Sequence, residues 1–187
     1  LFSGPYRRDD GLAAHLRSRG FAVDTVDNDP AHGDADDDFL DDAFFDELRR
    51  KTLDGQYKVI FAAPPCSTFS ISRHFSARKS RRGDGGPPPV RTRSSPQGLS
   101  SPPAGHANEL RQANEVIERL CELLSAAHDA GVMFVIENPA DRGDSSAAHT
   151  FLCADHAPLW IHPALVALQE RACAEACTFA QCMLGAP

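Results

Sequence analysis

No stretch of this 187-residue chain approaches the roughly 18 consecutive apolar residues of a membrane helix, so no membrane span is expected. No secretory leader is visible. The chain lacks G-x-G-x-x-G and has no P-loop, which leaves a dinucleotide or a nucleoside triphosphate without support. There is no paired C-x-x-C. The six cysteines, at 66, 121, 153, 173, 177 and 182, are scattered, unlike the dense pattern of a secreted disulfide scaffold. Reduced thiols in an intracellular protein, cytoplasmic or nuclear, are the expectation. The aspartate run at 34–42 lacks the glycine and spacing of a calcium loop. Internal repeats are absent as well.

What is present is an ordinary globular composition, 42% hydrophobic and 24% charged, enough for one domain with a full core. The net charge of -7 does not announce a nucleic-acid binder, but the charge is unevenly placed. Residues 24–47 hold ten aspartates, one glutamate and no Lys or Arg. Residues 74–105 hold six Lys or Arg and one Asp. A local basic loop can engage phosphates on an acidic protein. The sequence opens Leu-Phe-Ser and closes Leu-Gly-Ala-Pro, which reads as a piece of a longer protein.

Hydrophobic periodicity predicts helices over 9–19, 42–52, 107–130 and 163–176. It predicts strands over 21–27, 57–63 and 132–136, with a further one at 178–184. YKVIFAA (57–63) and VMFVI (132–136) are nearly continuous apolar runs, as expected of strands buried on both faces. Residues 74–105 are rich in Ser, Arg, Gly and Pro, show no hydrophobic period, and read as a long structureless, mobile loop. Strands alternating with helices imply an α/β fold with a doubly wound, mostly parallel sheet.

In such sheets ligands bind outside the carboxyl ends of the strands. Ser3 and Gly4 follow the first apolar pair. Asp27, Asn28 and Asp29 follow the second strand, Pro64, Pro65 and Cys66 the third, and Glu137, Asn138 and Pro139 the fourth. Two prolines stop a strand abruptly and stiffen the chain where Cys66 leaves it. Asp27 lies 23 residues after Gly4, near the spacing at which nucleotide folds place an acid on ribose hydroxyls. An adenosine-bearing ligand without a phosphate chain fits best.

LFSG, VDNDP, PPCSTFS and IENP, in this order, resemble the motif series of DNA cytosine-5 methyltransferases, above all the divergent methyltransferase-like domains of phages and retroelements. The resemblance covers most of the chain. It implies a Rossmann-like fold, S-adenosyl-L-methionine as cofactor, and DNA, with the target cytosine flipped out, as partner. Phe2, Ser3 and Gly4 would line the cofactor, Asp27 would bind its ribose, Asp38 would face the adenine, and Asn28 and Pro64 would also contact the cofactor. Cys66 would be the nucleophile and the most reactive thiol. Glu137 would contact the target base, with Pro65, Ser67, Asn138 and Pro139 around it. Arg73, Arg78 and Arg81 are the cationic candidates for contact with the substrate, Arg73 also as a charge that would favour the Cys66 thiolate.

Three other readings stand beside this one. An exocyclic-amino methyltransferase also places a proline pair at this strand end and needs no thiol. A degenerate, non-catalytic nucleic-acid-binding domain of a mobile-element polyprotein is favoured by Tyr6, where the first motif of the family carries a second glycine. A zinc-stabilised module would draw on Cys153-x-x-His156, His162, Cys173, Cys177 and Cys182, but no metal is expected.

Overall fold

The computed structural model describes residues 1–2, 11–28, 34–75 and 86–179. Among these, two parallel strands and four α-helices make an α/β unit, in the order α1 (Leu12–Ser18), α2 (Asp42–Leu53), β1 (Val59–Ala62), α3 (Ala107–Asp129), β2 (Met133–Ile136) and α4 (Pro163–Ala172). Ser3, Gly4, Asp29, Arg78 and Arg81, to which the sequence assigns roles, lie outside the described residues. So do Cys182 and most of the strand expected at 178–184; its first two residues, 178 and 179, are not in a strand.

Local chemistry explains the helix boundaries. Asp41 caps α2 by accepting a hydrogen bond from the Phe44 N–H, and Arg50 and Lys51 sit in its last turn, where cations suit the helix dipole. In α3, Leu110, Ile117, Leu120, Cys121 and Leu124 fall on one stripe and are buried. Gly131, at φ +72°, takes the left-handed conformation that ends this helix and turns the chain into β2. Pro163 opens α4, and Cys173, at φ +49°, closes it earlier than the periodicity suggests.

β1 and β2 run parallel, in register from Val59 opposite Met133 to Ala62 opposite Ile136, and α3 is the crossover between them. Ile60, Ala62, Phe134 and Ile136 face the core formed with α2, α3 and α4. The opposite face is open. Val59, Phe61, Met133 and Val135 are 49%, 38%, 67% and 49% exposed. The expectation of strands buried on both faces is therefore corrected: among the described residues, helices cover one face only.

Residues 21–27, expected as a strand, belong to no ladder among the described residues. Among the described residues their neighbours on the β1 side are Leu1 and Phe2. The Phe2 N–H bonds to the Val26 carbonyl at 2.7 Å, and Leu1 is bracketed by Phe61 and Ala63 in the hydrogen-bond pattern of a parallel bridge.

Residues 86–105 are irregular, yet they are anchored rather than structureless. Thr92 and Ser95 form a bridge, the Leu99 N–H bonds to the Val90 carbonyl, and Val90 and Arg91 are fully buried. Gly86 lies so close to the Ser72 carbonyl oxygen that a Cβ there would sit 2.4 Å from it.

Candidate active site

The carboxyl ends of β1 and β2 bring the two halves of the expected chemistry to one edge. One residue beyond the ladder, the Glu137 N–H donates to the Ala62 carbonyl at 2.8 Å. One residue further, Asn138 Nδ2 donates to the Pro64 carbonyl at 2.9 Å. Pro64 is buried and has no N–H, so its carbonyl is its sole backbone hydrogen-bonding group, and Asn138 satisfies it. Cys66 follows two residues on, half-buried, and its carbonyl accepts from Phe69 N–H to start a 3₁₀ turn over Ser67–Phe69. Glu137 and Asn138 are half-buried, whereas Pro65, Ser67 and Pro139 are exposed. Trp160 Nε1 donates to the Pro139 carbonyl at 2.8 Å and fixes the far side of this edge.

A second cluster gathers beside the first. Asn28 Nδ2 donates to Asp38 Oδ1 at 3.1 Å, and the same oxygen accepts from the Leu40 N–H. The backbone of Asp27 hydrogen-bonds to Asp37, whose carboxyl is pushed up by burial and by neighbouring acids. The Phe2 ring, on a residue at φ +56°, meets Phe39 edge-on at 5.3 Å. Phe2, Asn28 and Asp38, distant in sequence, thus share one neighbourhood with Asp27. A polar cleft of about 350 Å³ lies between residues 23–26 and α2, lined by Asp24, Asp37, Glu47, Lys51 and Tyr57 among others. It touches neither Cys66 nor Glu137. Burial, and secondarily Asp24, pushes the Tyr57 hydroxyl to about 12.

Arg73 does not point to a substrate. It is buried, and its guanidinium donates to the Ser67 carbonyl at 2.7 Å, to the Pro88 carbonyl at 3.0 Å and to Glu109. This reassigns Arg73 from substrate contact to holding the loop behind Cys66. Arg91 does the same from the other side. It donates to the Pro96 carbonyl, to Asn114 Oδ1 and to Thr68 Oγ1, and its guanidinium lies 3.9 Å from the Phe69 ring centre. Burial lowers Arg91 to about 10, with the charge of Arg73 adding to the effect. Arg91, which composition assigns to the basic loop, and Arg73, just before that loop, are thus internal struts. A charged residue in a Ser/Pro/Gly-rich stretch gives no sequence signal of burial.

His162 is a third group that sequence reasoning did not place here. It is fully buried beside Phe69, and neither ring nitrogen has a hydrogen-bond partner. Burial, then the charge of Arg91, depresses it to about 4, so it is neutral near pH 7. His156 is also used up by the fold: its Nδ1 accepts from the Arg142 N–H at 3.1 Å and its Nε2 bonds to the Phe69 carbonyl at 2.9 Å. With both nitrogens engaged, the Cys153-x-x-His156 spacing does not make a zinc pair. Among the described residues no three His, Cys, Asp or Glu side chains form a metal-ligand group, and none of their helices is long and apolar enough to cross a membrane.

The site so defined is a cysteine and a carboxylate on the carboxyl edge of a parallel α/β sheet, beside an acidic cluster. No protein-family model, curated protein or solved structure matches the chain.

Proposed function

We propose that the chain is an S-adenosyl-L-methionine-dependent methyltransferase acting on carbon-5 of cytosine in DNA through a covalent Cys66 adduct. The observation that carries this reading is the Asn138–Pro64 hydrogen bond, which ties the Pro-Pro-Cys segment to the Glu-Asn-Pro segment across adjoining strand ends. The lateral contacts of Leu1 and Phe2 with β1 and with residues 21–28 support a wider doubly wound sheet.

The donor set suits the cofactor. Asp27, Asn28 and Asp38 offer carboxylate and amide groups to ribose hydroxyls and to adenine, and the acidic cluster favours a cation. When bound, S-adenosyl-L-methionine supplies an electrophilic methyl group. The Cys66 thiolate would add to carbon-6 of the base and make carbon-5 enamine-like. Glu137 would share a proton at ring nitrogen 3 and offset the charge that develops there. After methylation, loss of the carbon-5 proton would expel Cys66. The base must leave the duplex stack to reach this edge. For DNA, the support is the motif series and the cationic residues of 78–82.

The test is trapping with DNA containing 5-fluorocytosine, where carbon-5 has no proton to lose. A denaturant-stable adduct that requires S-adenosyl-L-methionine and is absent in Cys66→Ala supports the assignment. Methyl transfer that survives Cys66→Ala, with an exocyclic-amino product, replaces it with amino-methyltransferase chemistry. Absence of S-adenosyl-L-methionine binding by calorimetry to the intact full-length protein leaves the non-catalytic nucleic-acid-binding reading.

A further inference from the structure

Behind the Cys66 segment lies a second thiol in a more pointed setting. Cys153 Sγ is 3.7 Å from His74 Nδ1, within hydrogen-bonding reach for sulfur. The two residues are 79 positions apart and meet because the 3₁₀ turn Ile71–His74 packs beside the turn that runs from Cys153 to His156. The neighbours hold this pair in place. The His74 ring meets the His156 ring edge-on at 5.9 Å. His156 must accept at Nδ1, because a backbone N–H can only donate, so its Nε2 carries the proton given to the Phe69 carbonyl. His156 is thus a neutral wall rather than a competing cation. The other charged groups of this corner are Asp141, which engages Arg93 and the Gly143 N–H, together with Asp155 and Arg142.

We propose that Cys153 and His74 form a thiol–imidazole couple that makes Cys153 a site of modification by small hydroperoxides. His74 is neutral near pH 7, because burial holds it below its usual range, so its Nδ1 can accept the thiol proton. The same burial opposes the imidazolium, which the thiolate beside it and the Asp155 carboxylate stabilise. The thiolate sulfur attacks the near oxygen of the hydroperoxide, the O–O bond breaks, and a sulfenic acid forms. The departing hydroxide or alkoxide takes the proton from the His74 imidazolium and leaves as water or alcohol. Cys153 is reduced before the step and oxidised after it; the hydroperoxide is the two-electron oxidant. Cys121 is the contrasting case: burial, with Glu118 adding, pushes its thiol to about 12 and leaves it inert. Among the described residues, no imidazole hydrogen-bonds the Cys66, Cys173 or Cys177 thiol. The couple does not depend on methyl transfer.

The experiment treats the full chain with hydrogen peroxide near pH 7, traps sulfenic acid with a 1,3-dicarbonyl reagent and maps it by mass spectrometry. Cys153, although half-buried, should be trapped several-fold faster than the exposed Cys173 and Cys177. His74→Ala should slow Cys153 by about tenfold while leaving Cys173 unchanged, and added imidazole should restore part of the rate. The Cys173 rate in the same sample reports whether the variant is intact, and the wild-type ranking stands by itself if it is not. Trapping at Cys153 no faster than at Cys173, or a Cys153 rate indifferent to His74→Ala, overturns the proposal.

Discussion

Asn138 Nδ2 donates to the Pro64 carbonyl at 2.9 Å, across a sequence separation of 74 residues. This one bond couples the loop that bears Cys66 to the strand end that bears Glu137. Because Pro64 is buried, losing the donor leaves a desolvated carbonyl rather than a hydrated one. Asn138→Ala is expected to cost about 1–3 kcal/mol, measured by urea unfolding. Asn138→Asp should cost at least as much, since a carboxylate cannot donate to that oxygen. A loss below the error of the method for both variants would show that the bond does not hold the edge.

Arg91 should behave as a core residue although it is charged. Its replacement by Ala strands Thr68 and Asn114 and opens a cavity against Phe69. The expected loss is about 3–5 kcal/mol, the size seen on breaking buried polar networks. Arg91→Lys should recover only part of it, because an ammonium cannot span the same acceptors in one plane.

Arg73 separates a structural from a nucleic-acid role. If the chain binds DNA as proposed, Arg73→Gln should lower stability while leaving the salt dependence of that binding unchanged. Replacing Arg78, Lys79, Arg81 and Arg82 should flatten that dependence by up to about four contacts' worth of slope. The opposite assignment of these two effects in a salt titration would return Arg73 to the substrate side.

Stability should fall on the acid side of neutrality because of His162. Its folded-state value of about 4 lies below the ordinary 6.5, so the unfolded chain takes up the proton first as pH falls. The contribution is intact above about pH 7 and is lost between about 6.5 and 4, on the order of 3 kcal/mol. Burial depresses His74 and His156 in the same direction. His162→Phe, which keeps the contact with Phe69 and cannot titrate, should flatten the pH profile of the denaturation midpoint. An unchanged slope in that variant would show that His162 titrates normally.

The open sheet face predicts an asymmetry between adjacent residues. Met133→Thr, on the exposed side, should change stability by no more than about 0.5 kcal/mol. Ile60→Ala, on the covered side, should cost about 2–5 kcal/mol. Equal costs in thermal unfolding would mean that the second face is covered after all.

Periodicity alone determined the helices at Leu12–Ser18, Asp42–Leu53 and Ala107–Asp129 to within a few residues, because stripe, cap and stop are local. It also determined the two strands and their parallel sense, through the helix between them, and the meeting of the Pro64 and Asn138 segments at one edge. Tertiary structure decided the rest. An apolar run such as Val59–Ala62 has the same composition whether one face is covered or two, so only the packing of α2, α3 and α4 reveals the open side. A Ser/Pro/Arg-rich stretch carries no periodicity either way, so only the acceptors that converge on Arg73 and Arg91 turn residues 86–105 from an expected loose loop into a braced one. The isolation of His162 and the meeting of Cys153 with His74 are likewise beyond sequence, because nothing in the spacing of single polar residues says which of them folding will desolvate or bring together.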